Sequence, residues 1–134
     1  MIRRIAPVAA LLFVGVIACA FAEQAGLYSE PQAKNGQSIY HQMCGNCHRD
    51  DLAGGEHAPA LKGDPFWQEW DQQKARLLYR RIISTMPLED PGSLAEKDVI
   101  DIVAYLLKEN GLPSGSKAIE SANQLNNITL ERPK

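Results

Sequence analysis

The pentapeptide Cys44-Gly-Asn-Cys47-His48 is the feature of this 134-residue sequence that most constrains its fold. It places two thiols three positions apart, with an imidazole directly behind the second thiol. Such a group can serve as a redox-active disulfide, as part of a zinc site or as the attachment point of a covalent haem. Each chemistry requires a different structural context, so the surrounding sequence must decide among them.

The first 22 residues differ in composition from the remainder. Arg3 and Arg4 precede an apolar run, and the small residues "AFA" precede Glu23, which is typical of a secretory signal peptide over residues 1–22. The run is short for a membrane span. The stretch "VIAC" also resembles a bacterial lipobox, in which cleavage before Cys19 would leave a lipidated membrane anchor. Both interpretations predict export, and we expect a periplasmic protein.

Export would leave a mildly acidic domain with two cysteines. Without residues 1–22 the chain has 12 basic and 16 acidic residues, hence a formal charge of −4, which gives no basic field for nucleic acid. A disulfide between Cys44 and Cys47 would close a loop of only two residues. Such a small loop restricts the unfolded chain little, so structural stabilisation is a poor reason for this pair.

Three helical patterns organise the chain beyond a lead-in over residues 23–33. The first runs from about residue 32 into Cys44. We expect Asp71 to cap the second, which ends before Pro87. The third starts at a predicted capping box, Ser93 to Glu96, and ends near residue 110. The stripes on the three helices are formed by Gly36, Tyr40, Met43 and Cys44, by Ala75, Leu78, Tyr79 and Ile82, and by Val99, Ile102, Val103 and Leu106.

The segments between these helices contain no convincing strand pattern. Residues 48–64 are broken by glycine and proline, and "PFWQEW" favours a short helical turn. Residues 112–134 form a polar tail, apart from "LNNITL", which we predict to dock on the domain. The expected class is all-α, with three main helices and long loops. That apolar core is thin for roughly 110 residues, so we expect another group to fill the middle.

This helical context favours covalent haem. A thioredoxin-like pair would follow a strand at the start of a helix, whereas Cys44 ends a helix. A structural zinc site needs four ligands, and adjacent Cys47 and His48 fit one tetrahedral centre poorly, even with His41 or His57 added. In covalent haem, by contrast, the two thiols bond to the vinyl groups and the histidine reaches the iron.

The residues around the motif strengthen this interpretation. "GQSIYHQMCGNCH" and "DIVAYLL" resemble the N-terminal and C-terminal helices of class I mono-haem cytochromes c, and the resemblance covers about residues 34–111. It implies the cytochrome c fold, with helices and loops wrapped around one covalent haem c. In that family the two helices cross where a glycine allows close approach. The resemblance therefore places Gly36 and Tyr40 against Ile102 and Tyr105.

The loop "APALKG", residues 58–63, resembles the family loop whose proline carbonyl accepts the second N–H of the iron-binding histidine. The resemblance assigns this role to Pro59, which would orient His48 and raise its basicity. Ala58 departs from the glycine that usually precedes this proline.

The second axial ligand of the iron has two candidates. Met86 lies 38 residues after His48, and its surroundings "TMPLEDPGSL" resemble the distal methionine loop of the family. His57 is the rival, but it lies only nine residues after His48, in the loop expected on the proximal side. Met43 adjoins Cys44 and is expected to pack in the core. We therefore predict His48 and Met86 as the axial pair.

Four further side chains are candidates for contact with the haem edge. Trp67 and Trp70 could donate indole N–H bonds to the propionates, as a tryptophan does in parts of the family, or could pack on the haem edge. Arg80 and Arg81 could neutralise propionates, although a charged pair on a helix is more often a solvated face.

Two axial ligands leave no open position on the iron, so the resemblance implies a one-electron carrier rather than an enzyme. "DLAGGEHAPALKGDPFWQEW" and "MPLEDPGSLAEKDVIDIVAYLLKENGLPSG" resemble cytochrome modules linked to quinoprotein dehydrogenases. The expected partners are thus a periplasmic dehydrogenase or respiratory donor, and a terminal oxidase or second cytochrome. The alternatives are a haem enzyme or gas sensor with an open sixth position, and an exported zinc module.

Overall fold

A computed structural model describes residues 26–134 of the chain, so the predicted signal peptide and Cys19 lie outside the described residues. The helices are α1 (Glu30–Met43), α2 (Gly45–His48), α3 (Asp64–Trp70), α4 (Ala75–Thr85), α5 (Glu96–Glu109) and a 3₁₀ turn (Gln124–Asn127). Within residues 26–134 the only β-type pairing is two isolated bridges, Ser29 with Gly115 and Lys74 with Thr129. The all-α prediction, with three longer helices joined by long loops, is confirmed.

Helices α1 and α5 cross in close contact. A Cβ atom placed on Gly36 would lie 1.8 Å from the backbone oxygen of Asp101 and 2.9 Å from the nitrogen of Ile102. The ring centres of Tyr40 and Tyr105, which belong to these two helices, lie 5.4 Å apart. The predicted contact is confirmed, and only glycine allows the two backbones to approach this closely.

A buried carboxylate braces this crossing. Asp101 is 1% exposed, and it accepts hydrogen bonds from Gln32 (3.0 Å), Asn35 (2.7 Å) and Lys97 (2.5 Å). Gln32 also exchanges two hydrogen bonds with the backbone of Ile119, at 2.8 and 2.9 Å. Because a buried charge is costly unless its oxygens are satisfied, this network fixes α1, α5 and the C-terminal segment in one arrangement.

Helix α4 carries the predicted apolar stripe, and its end sets up the loop that follows. Its four stripe residues, Ala75, Leu78, Tyr79 and Ile82, are all buried. Met86 caps the helix in an extended conformation (φ −120°, ψ 151°) directly before Pro87. This confirms the expected stop, because proline disfavours a helical conformation at the residue before it.

Two predicted helix starts are wrong. Helix α5 begins at Glu96 with Ala95 as N-cap, so Ser93 does not form the predicted capping box. The side chain of Glu96 instead accepts a hydrogen bond from the backbone N–H of Ala122 at 3.3 Å. Helix α4 is capped by Lys74, while the carboxylate of Asp71 accepts the backbone N–H of Arg132 at 3.0 Å. In both cases the C-terminal segment uses the acidic side chain that the sequence assigned to a helix terminus.

The C-terminal segment packs on the domain. Leu125 and Leu130 are fully buried. The backbone oxygen of Leu130 accepts the N–H of Gln72 at 2.7 Å, and the N–H of Leu130 donates to the oxygen of Gln73 at 2.8 Å. The predicted docking of "LNNITL" is confirmed. The lead-in is also fixed, because the hydroxyl of Tyr28 donates to the oxygen of Leu112 at 2.9 Å. No helix in the described part of the chain is long and apolar enough to cross a membrane.

Candidate haem site

A cavity of about 410 Å³ opens beside the α1–α2 junction. Its walls come from this junction, the loop after His48, helices α3, α4 and α5, and the loop after α4. The deeper walls are apolar and include Leu61, Leu78, Ile82, Ile102 and Leu106. The helices thus enclose an apolar space at the position where the sequence predicts that the core is incomplete.

The Cys-x-x-Cys-His motif folds into one tight turn at the wall of this cavity. Helix α1 ends where Cys44 leaves helical geometry (φ −120°), and the N–H of His48 then donates to the oxygen of Cys44 at 2.9 Å. As a result Cys44, Cys47 and His48 all line the cavity. This turn was not predicted, because its four residues carry no periodicity.

The two cysteines differ in their environment. Cys44 is half-buried and Cys47 is exposed. Burial raises the pKa of the Cys44 thiol to about 11, and the nearby Cys47 adds to the shift. Desolvation acts in this direction because it disfavours the charged thiolate. The position of Cys44 therefore suits an uncharged sulfur, such as a thioether.

The imidazole of His48 is held by a backbone carbonyl. Its Nδ1 atom lies 2.8 Å from the oxygen of Pro59, and the residue is 8% exposed. Because a carbonyl only accepts, Nδ1 must carry the hydrogen, which leaves the lone pair on Nε2 free to bind a metal. The resemblance predicts this contact, and the structure contains it.

The loop that supplies this carbonyl is fastened to the end of α5 by Asn110. The side-chain Nδ2 of Asn110 donates to the oxygens of Leu61 (3.0 Å) and Leu106 (2.9 Å), and its Oδ1 accepts the N–H of Gly63 (3.1 Å). Sequence reasoning missed this residue. An asparagine after a helix is an ordinary C-cap, and nothing local marks a partner 47 residues away.

The two candidate distal ligands lie in different surroundings. Met86 is partly buried and lines the cavity from the end of α4. The side chain of His57 is 90% exposed, beside Glu56 in the loop that also carries Pro59. Both residues line the cavity, but Met86 is partly buried at the end of α4, whereas the exposed His57 belongs to the same loop as the carbonyl that holds His48. The expected core position of Met43 is wrong, since Met43 is 44% exposed at the cavity.

Only one of the two tryptophans reaches the cavity. Trp70 lines it, and the guanidinium of Arg81, which also lines it, lies 5.9 Å from the Trp70 ring centre. Trp67 is not among the lining residues, and it packs edge-on against Phe66 with ring centres 5.2 Å apart. Arg80 lies outside the cavity as well.

Zinc ligation finds little support in the fold. Within residues 26–134, no group of three or more His, Cys, Asp or Glu side chains is placed to hold a metal ion. His41, a candidate fourth ligand, instead contacts the carboxylate of Asp50 at 2.9 Å.

Comparison with known proteins decides the family. Residues 31–106 match the family described as cytochrome C oxidase, cbb3-type, subunit III. The chain belongs to this family. It is therefore a mono-haem c-type cytochrome, and its cofactor is covalently bound haem c. No curated protein matches the sequence at a significant level.

A solved structure supports the same fold for this cytochrome. The chain superposes on the sulfane dehydrogenase SoxCD from Paracoccus pantotrophus with a TM-score of 0.61 and 23% sequence identity. The match covers 73% of this chain and 52% of that chain. The cytochrome thus spans about half the length of the protein it matches, and at this identity the likeness establishes the fold alone.

The residues at the cavity fit haem c. Its walls are largely apolar, the two motif cysteines lie at its edge, and the free imidazole nitrogen of His48 belongs to a ring already fixed by Pro59. A fixed histidine tautomer with one free nitrogen is what an iron centre requires of a protein ligand.

Proposed function

We propose that this cytochrome is an exported one-electron carrier in which Cys44 and Cys47 hold the haem and His48 and Met86 bind its iron from the two sides. The observation that carries the proposal is the 2.8 Å contact between His48 Nδ1 and the Pro59 carbonyl. It orients His48 toward a cavity that Met86 also lines.

The bound haem would supply a one-electron iron couple, and the chain sets its properties. Pro59 increases the basicity of His48 by accepting its second N–H. Met86 offers a neutral sulfur, which favours the lower oxidation state of the iron. The apolar side chains of the cavity act in the same direction, because a low-dielectric environment penalises the additional positive charge of the oxidised state.

The presence of two axial side chains favours a carrier over an enzyme. With His48 and Met86 both bound to the iron, no coordination position would be left for a substrate or a gas. The chain's own part would be to keep His48 and Met86 in place as iron ligands in both oxidation states, while the haem would supply the one-electron couple. An open-site haem enzyme or gas sensor would require Met86 to be displaced.

The proposed pathway runs from a periplasmic dehydrogenase, or another respiratory donor, to a terminal oxidase or a second cytochrome. Two features support it. The N-terminal segment is typical of an export signal, and the segments around Pro59 and Met86 resemble cytochrome modules associated with quinoprotein dehydrogenases. Membrane attachment would depend on lipidation of Cys19.

Carbon monoxide distinguishes the carrier from the open-site alternatives. The protein is produced with its export signal, and mass spectrometry of the purified product establishes haem attachment, signal cleavage and lipidation together. Carbon monoxide is then added to the ferrous protein. A carrier gives sharp α and β bands that barely change, whereas a high-spin spectrum that changes completely contradicts the proposed ligand pair.

A further inference from the structure

We propose that the mouth of the haem cavity is a docking surface for a redox protein that presents an apolar centre surrounded by lysine or arginine side chains. This inference rests on the proposed carrier function, and it specifies the chemistry of the partner.

The first observation is the distribution of exposed apolar side chains. Among the described residues, three large hydrophobic side chains are substantially exposed: Met43 (44%), Leu77 (43%) and Leu88 (67%). Met43 and Leu88 both line the haem cavity. Met43 ends α1 beside the cysteine motif, and Leu88 belongs to the loop that carries Met86. The exposed apolar side chains at the mouth therefore come from two segments, the one beside the motif that contains His48 and the loop that carries Met86.

The second observation is the charge around this mouth. Two cationic side chains line the cavity, and each has a carboxylate partner. Arg49 lies 3.4 Å from Asp51, and Arg81 lies 3.6 Å from Glu69. Their charges are thus locally balanced.

The remaining carboxylates at the mouth are not balanced in this way. The side chain of Glu56 is 88% exposed, and its one ion-pair partner among the described residues is His57, at 4.0 Å. Glu89 also lines the cavity, is exposed, and is followed by exposed Asp90. None of the ion pairs in the described residues involves Glu89 or Asp90. The mouth therefore carries an excess of negative charge beside exposed apolar side chains.

Exposed apolar side chains beside an excess of negative charge determine which kind of partner surface fits the mouth. Opposite charge accelerates encounter and like charge opposes it, and both effects are weakened by salt. A second copy of this cytochrome would bring one acidic mouth against another and is disfavoured. A basic protein with an apolar centre satisfies the charge and buries Met43 and Leu88.

The role of the negative charge at the mouth is tested with two inorganic electron-transfer probes, cationic hexaammineruthenium and anionic hexacyanoferrate. Stopped-flow rates are measured with the haem-loaded protein between about 10 and 200 mM ionic strength, which shortens the Debye length from about 30 to below 10 Å. For the wild type, the rate with the cation should fall as salt is added and the rate with the anion should rise.

The variant Glu56→Lys/Glu89→Lys is compared with the control Glu120→Lys/Glu131→Lys, which makes the same change in net charge on two exposed residues that do not line the cavity. We expect the mouth variant to reverse both salt dependences, with a change on the order of tenfold at low salt. The control should change much less. Equal changes in both variants would overturn the docking surface, because the net charge alone would then govern the rates.

A second measurement tests the apolar centre. Gold electrodes are coated with ammonium-terminated chains, with a mixture of ammonium-terminated and methyl-terminated chains, or with carboxylate-terminated chains. Wild-type protein should exchange electrons fastest on the mixed surface and slowest on the carboxylate surface, and Leu88→Gln should remove the advantage of the mixed surface. Fastest exchange on the carboxylate surface, or no effect of Leu88→Gln, would overturn the proposal.

The two proposals fail in different ways. A protein that exchanges no electrons with either soluble probe contradicts the carrier function itself. A protein that exchanges electrons with both probes, at rates independent of Glu56 and Glu89, remains a carrier but lacks this docking surface.

Discussion

Asn110 donates a hydrogen bond from its side chain to the backbone oxygen of Leu61, 3.0 Å away. Leu61 lies two residues after Pro59, whose own carbonyl accepts the N–H of His48. The end of α5 therefore holds the loop that orients the proposed iron ligand.

Replacing Asn110 by alanine should loosen this loop. The change removes three hydrogen bonds and leaves the partly buried Leu61 carbonyl and the Gly63 N–H without their partner, which should lower the free energy of unfolding by about 2 kcal/mol. We also expect the reduction potential of the variant to vary more strongly with pH, because the orientation of His48 is less constrained. Denaturant titration and voltammetry across a pH series measure the two effects.

The matched control for this change is Asn126→Ala. Asn126 is exposed and makes a single side-chain bond, to the oxygen of Asn123 at 3.1 Å. Its removal should cost well under 1 kcal/mol. Equal losses of stability in the two variants would contradict the role given to Asn110.

Gly36→Ala should separate the crossing of α1 and α5. The new Cβ would lie 1.8 Å from the oxygen of Asp101, so the backbones must move apart. Overpacking of this kind costs about 1–3 kcal/mol. Thermal unfolding of the haem-loaded protein measures the loss, and Lys34→Ala, an exposed change in the same helix, should leave the stability nearly unchanged. An unaltered melting temperature for Gly36→Ala would contradict the observed crossing.

Tyr28 makes stability depend on pH in the alkaline range. Burial, assisted by the negative charges of Glu30 and Glu109, raises its pKa to about 12 in the folded state, compared with about 10 in an unfolded chain. Below pH 10 both states keep the proton, and the stabilising contribution is fully present. Between pH 10 and 12 the unfolded state releases its proton first, so stability falls as pH rises.

The variant Tyr28→Phe tests this dependence. It loses the hydrogen bond to Leu112, so its free energy of unfolding at pH 7 should be about 1 kcal/mol lower. Its loss of stability above pH 10 should be shallower, because one perturbed phenol is gone. Denaturant titrations at pH 7 and pH 11 measure both values. An equally steep alkaline loss in the variant would remove Tyr28 as a cause.

The general architecture could be predicted from the sequence because its signals are local. The stripes on α4 and α5 follow from 3.6-residue periodicity, and Pro87 fixes the end of α4 through its own ring geometry. The motif at Cys44 brings its three functional groups together within one turn. Haem c and the all-α class followed from such signals, whereas the helix crossing at Gly36 was implied by the resemblance to class I cytochromes c.

The errors concern contacts between distant segments. The side chains of Glu96 and Asp71 are suited to helix starts, but each instead binds a backbone N–H of the C-terminal segment. Trp67 and Trp70 are equivalent in the sequence, and only the orientation of α3 decides that Trp70 alone lines the cavity. Local propensity does not determine which of two competing partners a side chain will reach.

The most direct test of the account is the absorbance of the oxidised protein in the far red, where a methionine–iron bond gives a weak band, in the wild type and in Met86→Ala. Met86 lines the cavity with His48 and is proposed to complete the axial pair. We predict that the wild type has the band, that Met86→Ala loses it, and that the reduction potential of the variant falls while its haem stays covalently attached. A band that persists unchanged in Met86→Ala would contradict the proposed iron ligation.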